Sequence, residues 1–393
     1  MKSGNRAKFV YLGPFDPVRC EGVSASMFDL LAWLSQVGHS TSVFGFKPDT
    51  PWACEYVSQL RDRRGREPAD EAGGISYTED GVRVVLSVVP GYCHKGRSVH
   101  RTAFACMKSL LATAADSIVF TVDADFSGVM AACLARVQGA HIFHSPGYVG
   151  YTAASPVFRF LLRRKRLFGV SAFAANEIRK CIGRDSEVWP PFIGFDRVRT
   201  GLTWRPTRVL GYYSGGPHKG EEIVARLTER LPGFEFVAMG VPLSDPRAEG
   251  RVRHLGRTCQ PRDLYASVSV MLVPSIAGEG FPRVALEAMA NGIPVVASRI
   301  GGLPEAVEDA GILLDVDADR AKMAEGFAQA IERLFSHEAE FQDLSMRSLC
   351  RVERYDRFQK EQAKEHAEML MRESTDALRL APESFKSRIA EAQ

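Results

Sequence analysis

Short apolar runs alternate with stretches of helical periodicity along most of the chain. The first run, 8–12, precedes a predicted helix over 24–37 whose apolar residues recur on one face. Further strands are predicted at 40–46, 82–89, 117–122 and 141–144, and further helices at 101–115 and 128–138. The polar segment 49–81 is predicted to be a loop or a mobile insertion. Strands that alternate with helices are typical of parallel sheets covered by helices, so the pattern predicts an α/β fold.

A second alternating series begins after Pro191. It predicts strands at 208–212, 234–239, 268–273 and 294–298, and helices at 220–230, 261–267 and 282–290. From His337 onward the sequence is helical and highly charged. We therefore predict an N-terminal domain (1–195), a linker (196–206), a C-terminal domain (207–350) and a helical tail (351–393). Doubly wound domains bind ligands at the carboxyl ends of their strands, so a cleft between the two domains is the expected site.

Composition narrows the class of protein. The 393 residues are 45% hydrophobic and 25% charged, which is typical of a globular chain and excludes wholesale disorder. The net charge of +3 is too balanced for a nucleic-acid-binding surface, so no nucleic acid partner is expected. The eight cysteines form no Cys-x-x-Cys pair, which argues against a disulfide framework or a zinc knuckle and indicates a reducing compartment. No stretch approaches the roughly 20 apolar residues of a membrane span, and a soluble, cytoplasmic enzyme is expected.

The most informative segment runs from a strand end at Val273, through a glycine-rich loop, into a helix that starts near Pro282. The free amides of 280–283 at the start of that helix are expected to hold an anionic phosphate. Glu279 and Glu287 flank this position, where they would repel an anion unless they bind hydroxyl groups. Sugar and ribose hydroxyls fit, because an ionised carboxylate only accepts hydrogen bonds. The structural alternative is that Glu279 is a polar loop residue and Glu287 a solvated helix residue.

Together with Gly292–Ser298 and Gly301–Glu305, this segment resembles glycosyltransferase family four, which are retaining nucleotide-sugar glycosyltransferases of group 1. The resemblance extends over nearly the whole chain and is specific from about 256 to 315. It implies the GT-B fold, in which two Rossmann-like, doubly wound domains face each other across a cleft. It also implies a hexosyltransferase that moves a sugar from a nucleotide diphosphate-sugar to a hydroxyl-bearing acceptor.

The resemblance assigns roles to residues of both domains. Glu279 would hold hydroxyls of the donor sugar, Glu287 the ribose, and Lys219 the diphosphate. In the N-terminal domain, His144 would approach the donor sugar from the end of a strand, and Gly22-Val23 matches the glycine-rich loop that faces the diphosphate. The predicted catalytic residues are Glu279, His144 and Lys219. The predicted substrate-binding residues are Gly22, Val23, Gly216, His218, Glu279, Gly280, Phe281, Pro282 and Glu287.

The phosphate loop between the first strand and first helix of the C-terminal domain departs from the family pattern. Lys219 matches, but Tyr213 and Ser214 stand where the family has an arginine. Either His218, Arg208 or another group replaces that cation, or activation of the leaving group is weaker.

Retaining transfer requires a positioned acceptor hydroxyl, a held donor sugar and a stabilised diphosphate leaving group. In this fold a lysine and helix N-termini usually replace a metal ion, so no metal or other cofactor is expected beside the nucleotide-sugar. Asp123-Ala124-Asp125 is the one Asp-x-Asp pattern in a suitable loop, and it is predicted either to cap a turn or to orient an acceptor hydroxyl. A natural product, a polysaccharide and a lipid-linked molecule all remain open as the acceptor.

Residues 158–168 are basic and apolar and are predicted to be helical. They either dock on anionic lipid, which would make the protein peripheral to a membrane, or cover the sheet with a solvated cationic face. Two further functions remain open: a sugar-nucleotide epimerase or hydrolase of the same fold, and a nucleotide-sugar-binding protein without turnover. The resemblance also implies that part of 351–393 returns to the N-terminal domain.

Overall fold

The chain contains two α/β units. The computed structural model describes residues 6–15, 22–48, 75–89, 117–135, 137–201, 207–240, 243–256 and 261–379. The N-terminal unit comprises the described residues up to 170, together with 175–192 and 361–379. The C-terminal unit comprises 171–174 and the described residues of 193–360. The predicted helix 101–115 lies outside the described residues.

The N-terminal unit is built on an eight-stranded sheet. Its strands are β1 (Lys8–Pro14), β2 (Ser40–Pro48), β3 (Ile75–Glu79), β4 (Val82–Val89), β5 (Ile118–Val122), β6 (Gly139–Phe143), β7 (Arg166–Gly169) and β8 (Glu187–Val188). The helices that follow these strands are α1 (Gly22–Gln36), α2 (Phe126–Leu134), α3 (Pro146–Ala154), α4 (Pro156–Leu162) and α5 (Ala172–Ile182). The strand order is β3-β4-β2-β1-β5-β6-β7-β8, and each described neighbour pair is parallel except β3 with β4. β5 and β6 are buried along their whole length, as expected for central strands of a sheet covered on both faces.

The prediction of a loop over 49–81 is wrong at its end, because Ile75–Glu79 forms a strand that pairs antiparallel with β4. The turn between the two strands is Asp80-Gly81, and both residues have positive φ, at 48° and 77°. Asp-Gly in this conformation is the turn that fits the twist of a two-residue hairpin.

The prediction of one helix over 158–168 is also wrong, since α4 ends at Leu162 and strand β7 begins at Arg166. The guanidinium of Arg184 donates to the carbonyl oxygens of Leu162 and Lys165, at 2.6 and 3.0 Å, and so satisfies acceptors that a helix end leaves free. The Lys165 ammonium is buried and donates to the carbonyl of Val137 at 2.8 Å. The chain can therefore turn from helix to strand within three residues.

The C-terminal unit is built on a six-stranded parallel sheet of order β11-β10-β9-β12-β13-β14. Its strands are β9 (Val209–Ser214), β10 (Glu235–Gly240), β11 (Val252–His254), β12 (Val270–Val273), β13 (Val295–Ser298) and β14 (Ile312–Leu314). Its helices are α6 (Phe195–Val198), α7 (Glu221–Arg230), α8 (Pro261–Ser267), α9 (Arg283–Met289), α10 (Leu303–Val307), α11 (Arg320–Ser336) and α12 (Glu338–Arg379). Successive residues of β12 are buried in two different cores. Met271 belongs to one core and Leu272 to the other, so helices cover both faces of the sheet.

α12 contributes to both units. Its residues up to 360 belong to the C-terminal unit, where Phe341 and Leu344 are buried in one of the two cores. Its residues from 361 onward belong to the N-terminal unit. There, the ring of His366 packs 4.8 Å from the ring of Trp189. The N-terminal unit is thus completed by residues from near the end of the chain.

Candidate functional site

Two oppositely charged side chains meet at the carboxyl edge of the C-terminal sheet. Lys219 ends a 3-10 turn, Pro217–Lys219, that follows β9, and Glu279 lies in the loop that follows β12. The Nζ of Lys219 lies 2.5 Å from Oε2 of Glu279, and the two side chains are 26% and 9% exposed. The fold therefore brings together two predicted site residues that are 60 positions apart in sequence.

Ser275 occupies the other oxygen of the same carboxylate. Its hydroxyl is fully buried and donates to Oε1 of Glu279. Since a carboxylate oxygen can accept more than one hydrogen bond, Glu279 keeps acceptor capacity for a further hydroxyl group. The ammonium of Lys219 also offsets the carboxylate charge, so an anionic ligand can approach this edge of the sheet.

The two loops that carry this pair are in direct backbone contact. Gly220 follows Lys219 with a φ of +82°, and a Cβ added there would lie 1.9 Å from the carbonyl oxygen of Pro274. The amide of Ile276 donates to the carbonyl of His218 at 2.9 Å. A side chain at position 220 would thus separate the loops, which explains why glycine is required between Lys219 and α7.

The backbone around Glu279 is held from a third loop. The amide of Gly302 donates to the carbonyl of Glu279 at 2.8 Å, and a Cβ at Gly302 would lie 1.9 Å from the carbonyl oxygen of Gly280. The hydroxyl of Ser171 donates to that same carbonyl of Gly280 at 2.7 Å. Glu305, which follows this third loop, accepts hydrogen bonds from the amides of residues 172 and 173. The loop with Glu279 is therefore fixed by backbone contacts.

Pro282 and Phe281, which follow Glu279, contribute to the start of α9 and to the core of the unit. Pro282 precedes the first helical residue, Arg283, and contributes no side-chain cap. The ring of Phe281 stacks on Tyr355, with 5.5 Å between centroids, and packs against the core of the unit. The side chain of Phe281 is thus used in packing, and the binding of a ligand by the backbone amides of Gly280 and Phe281 stays a prediction.

Glu287 is buried, 8% exposed, on α9. Its Oε2 accepts a hydrogen bond from the hydroxyl of Tyr265 at 2.7 Å, and its Oε1 pairs with Nε of Arg283 at 3.0 Å. Burial, followed by the charge of Glu287, raises the pKa of Tyr265 well above its ordinary value. The alternative of a solvated helix residue at position 287 is therefore wrong, and the carboxylate is held in one orientation.

Sequence analysis missed Arg283 and Tyr265. Arg283 and Glu287 are four positions apart on a predicted helix, a spacing at which opposite charges meet, so this pair was open to prediction. Tyr265 lies 22 residues before Glu287, and only the packing of α8 beside α9 brings it there.

The structure excludes one of the two residues proposed to replace the arginine of the family in the phosphate loop. Arg208 precedes the amino end of β9, whereas the phosphate loop follows its carboxyl end. Its guanidinium lies over the ring of Phe234, 5.3 Å from the centroid. His218 is exposed in the 3-10 turn beside Gly216, whose φ is +112°. Of the two residues named for this role, His218 alone lies in the loop.

In the N-terminal unit, Gly22 and Val23 form the first turn of α1. The prediction that they lie in a loop before the helix is wrong, although a helix start also presents free amides. The loop predicted before them includes residues 16–21, which lie outside the described part of the chain. The predicted strand 141–144 ends one residue earlier, at Phe143, so His144 directly follows β6, and its amide donates to Oδ1 of Asp123 at 2.7 Å.

Asp123 and Asp125 cap backbone amides. Oδ1 of Asp123 accepts hydrogen bonds from the amides of His144 and Ser145, and Oδ1 of Asp125 accepts one from Gly128 at the start of α2. The second oxygen of Asp125 is buried without a hydrogen-bond partner in the described part of the chain. Burial raises the pKa of both carboxyl groups to about 7, against the amides that lower it. Of the two predicted roles, these contacts support capping.

Among the described residues, no three His, Cys, Asp or Glu side chains lie close enough to hold a metal ion. None of the described helices combines the length and the hydrophobicity that a membrane span needs.

Comparison with known proteins shows what the segment around this site is similar to. Residues 220–337 match the sequence model of the family described as "Glycosyl transferases group 1". D-inositol 3-phosphate glycosyltransferase of Mycobacteroides abscessus is 36% identical over 134 residues, which are 30% of this chain and 29% of that protein. The enzyme of the same name from Mycobacterium marinum is 35% identical over 146 residues, 32% of this chain and 31% of the relative. The chain thus matches less than a third of the length of these relatives, and the resemblance to group 1 glycosyltransferases is confirmed over that part.

Solved structures match the chain over most of its length. Sucrose-phosphate synthase of Thermosynechococcus elongatus has a TM-score of 0.70 at 20% identity, and the match covers 95% of this chain and all of that one. HepE of Anabaena, solved in complex with UDP and glucose, has a TM-score of 0.67 at 18% identity over 93% of this chain and 99% of that one. The prediction of the GT-B fold is therefore confirmed.

Proposed function

We propose that the protein is a retaining glycosyltransferase that moves a hexose from a nucleotide diphosphate-sugar to a hydroxyl group of an acceptor. The observation that carries the proposal is the contact of Lys219 with Glu279, supported by Ser275, at the carboxyl edge of a parallel sheet. Glu279 and Ser275 lie inside the segment that matches the group 1 glycosyltransferases, and Lys219 directly precedes it.

Lys219 and Glu279 are proposed to bind different parts of the donor. The ammonium of Lys219 stabilises the negative charge that develops on the diphosphate as the bond to the sugar breaks. The carboxylate of Glu279 accepts hydrogen bonds from sugar hydroxyls and orients the ring. Each charge is also the counter-ion of the other in the free protein, so neither is left uncompensated before the donor binds.

Glu287 is proposed to hold the ribose. Tyr265 and Arg283 each occupy one of its oxygens, and each oxygen keeps a second lone pair for a ribose hydroxyl. In the N-terminal unit, His144 is proposed to donate to a hydroxyl of the donor sugar from the end of β6. Lys219 and backbone amides, rather than a metal ion, are proposed to carry the diphosphate.

Release of nucleotide diphosphate tests this function. Because HepE was solved with UDP and glucose, UDP-glucose is the first donor to screen, followed by GDP-, ADP- and dTDP-sugars. We expect one donor to be consumed, faster with an added hydroxyl acceptor, and the variants Glu279→Gln and Lys219→Met to lose at least about 100-fold in kcat/KM.

Lys322→Met is the matched control, since Lys322 forms an ion pair of 2.6 Å with Asp317 on the exposed surface. It should keep full activity. Activity in Glu279→Gln and Lys219→Met equal to that of the control would overturn the assignment of the donor site.

A second candidate, a nucleotide-sugar-binding protein without turnover, is favoured by one observation. Tyr213 and Ser214 replace the arginine of the family, and Arg208 lies at the other end of β9. Donor binding that stabilises the protein without release of nucleotide diphosphate, whatever acceptor is added, would support this candidate. An epimerase or hydrolase would consume the donor at the same rate with and without an acceptor.

A further inference from the structure

We propose that the outer face of α4 docks the protein on the surface of an anionic lipid bilayer. This surface, called the α4 face below, consists of Val157, Arg159 and Phe160 of the helix and of Arg163 and Arg164, which directly follow its last residue, Leu162. It differs from the stretch 158–168 of the sequence analysis, because it includes Val157 and leaves out Phe158, Leu162 and Lys165, which are buried.

The helix α4 has an inner and an outer side. Phe158 and Leu162 are fully buried in a core of the N-terminal unit. Phe160 and Val157 face outward and are 65% and 57% exposed. Leu134, at the end of the neighbouring helix α2, is 58% exposed. Val157 and Phe160 lie within one turn of the helix, and large apolar side chains that are neighbours and this exposed are typical of surfaces that contact a partner or a membrane.

The charge around these apolar residues has one sign. Arg159, Arg163 and Arg164 are exposed, and none of them forms an ion pair with a described residue. The guanidinium of Arg163 lies 5.9 Å from the ring centroid of Phe160, so charge and apolar surface are adjacent. The sequence from 126 to 176 contains no aspartate or glutamate.

Two other cations in this stretch are already used inside the unit. The ammonium of Lys165 donates to a backbone carbonyl, and Arg166 pairs with Glu187 and Glu373. The three arginines of the α4 face are thus the ones left to meet an external anion. A helix of this character lies in the plane of a bilayer interface, with apolar side chains among the acyl chains and arginines at the phosphate groups.

The rest of the described surface shows why these residues stand apart. Met346 and Phe358, on α12, are also exposed, at 60% and 43%. Near them, however, Asp343 pairs with Arg347 and Asp356 with Lys360, so the charges are mixed. An anionic bilayer is complementary to the α4 face and not to α12. The α4 face is therefore proposed as the lipid-binding surface because its residues combine exposed apolar side chains with charges of one sign.

Vesicle sedimentation of the full-length protein tests the proposal. The probes are vesicles of phosphatidylcholine alone and of phosphatidylcholine with about one third phosphatidylglycerol. We expect binding to the anionic vesicles that weakens in high salt. A basic residue near an anionic surface is worth about 1 kcal/mol, or about five-fold, so the triple variant R159Q/R163Q/R164Q should bind roughly 100-fold more weakly.

Apolar substitutions test the second half of the proposal. Phe160→Ser combined with Val157→Ser should weaken vesicle binding by at least about ten-fold, because two apolar side chains no longer enter the interface. M346S/F358S on α12 and R179Q/R372Q, exposed arginines elsewhere in the N-terminal unit, are the matched controls and should bind like the wild type. Unchanged thermal midpoints show that the variants fold.

Phe160→Trp gives an independent readout in a protein that keeps its apolar face. Its fluorescence should shift to shorter wavelength with anionic vesicles and be quenched by brominated lipid. Three results would overturn the proposal: no vesicle binding, equal binding to neutral vesicles, or self-association in solution that the α4 variants abolish. None of these assays uses a nucleotide-sugar, so their outcome is independent of the proposed transferase activity.

Discussion

The two sheets hold carboxylates at their carboxyl edges in different ways. In the C-terminal unit, Glu279 and Glu287 are paired with Lys219 and Arg283. In the N-terminal unit, Asp123 and Asp125 accept hydrogen bonds from backbone amides. Burial raises the pKa of Asp123 and Asp125 to about 7, because the few amides that lower it do not outweigh burial. The carboxylates thus meet cations where the donor site is proposed, and backbone amides at the other edge.

The largest effect of a single substitution should come from breaking the buried ion pair of α9. Arg283→Met leaves Glu287 buried with only the Tyr265 hydroxyl, and we expect the free energy of unfolding to fall by about 3–5 kcal/mol. Urea unfolding followed by circular dichroism measures this. The double variant R283M/E287L should regain most of the loss. Arg226→Met is the control, since Arg226 and Glu222 form a pair at the same four-residue spacing whose side chains are 34% and 46% exposed. A loss equal to that of the control would break the comparison.

The next effect should be a dependence on pH in the N-terminal unit. Asp123 and Asp125 titrate at about 7 in the folded protein and ordinarily at 3.8. Below about pH 4 both states are protonated, and between about pH 4 and 7 only the unfolded state loses the proton, so stability falls as the pH rises. Each group contributes at most about 4 kcal/mol to this fall.

Substitution by asparagine isolates that contribution, since its carbonyl oxygen can still accept from the backbone amides. The stability of D123N/D125N relative to wild type should increase from pH 4 to 7 and then level off, as measured by urea unfolding at several pH values. Parallel stability curves for the two proteins would show that the carboxyl groups are ionised in the fold and that the two edges do not differ.

A smaller difference in stability is expected between a hydrogen bond to a charged acceptor and one to a neutral acceptor. Tyr265→Phe removes the donor to the carboxylate of Glu287 and should cost about 1.5–3 kcal/mol. Tyr11→Phe removes the donor to the carbonyl of Pro14 in the N-terminal unit and should cost about 1 kcal/mol. Thermal unfolding of both variants gives the difference. Equal losses would mean that the charge of Glu287 contributes nothing to this hydrogen bond.

The smallest effect should come from an exposed ion-pair network. Arg230 contacts Glu325 and Glu332, each at 2.9 Å, and these contacts raise the pKa of its guanidinium. Because the side chains are in solvent, Arg230→Gln should change the free energy of unfolding least among these variants, by an amount close to the error of urea unfolding. A loss comparable to that of Arg283→Met would show that burial is not what distinguishes the pairs.

The sequence predicts some elements of this fold with their bounds, but the 17-residue helix α11 and the 11-residue helix α5 were not predicted. The bounds of β4 and α8 agree with the structure residue by residue, because apolar runs of strand length and a proline at a helix start are strong local signals. β3, β8, β11 and β14 were missed, since strands of two to five residues carry little periodicity. The helix predicted over 158–168 failed because its end is set by Arg184, a contact outside the segment.

The candidate site also combines residues that the sequence predicts with residues that it does not. Glu279 and Glu287 are predicted from a contiguous motif, and Lys219 is predicted from the loop between a strand and a helix. Their partners Ser275 and Tyr265 are not, since hydroxyl groups are common and only tertiary packing selects which one reaches the carboxylate.

The return of α12 to the N-terminal unit has a consequence for how the protein is made. A ribosome releases β1 to β8 early, but His366, which packs on Phe168 and Trp189, emerges about 180 residues after Trp189. Until then, the surface that 361–379 covers in the finished unit lacks its cover. The unit that begins the chain is therefore the last to be completed, and the C-terminal unit, which needs only residues up to 360, can finish folding before it.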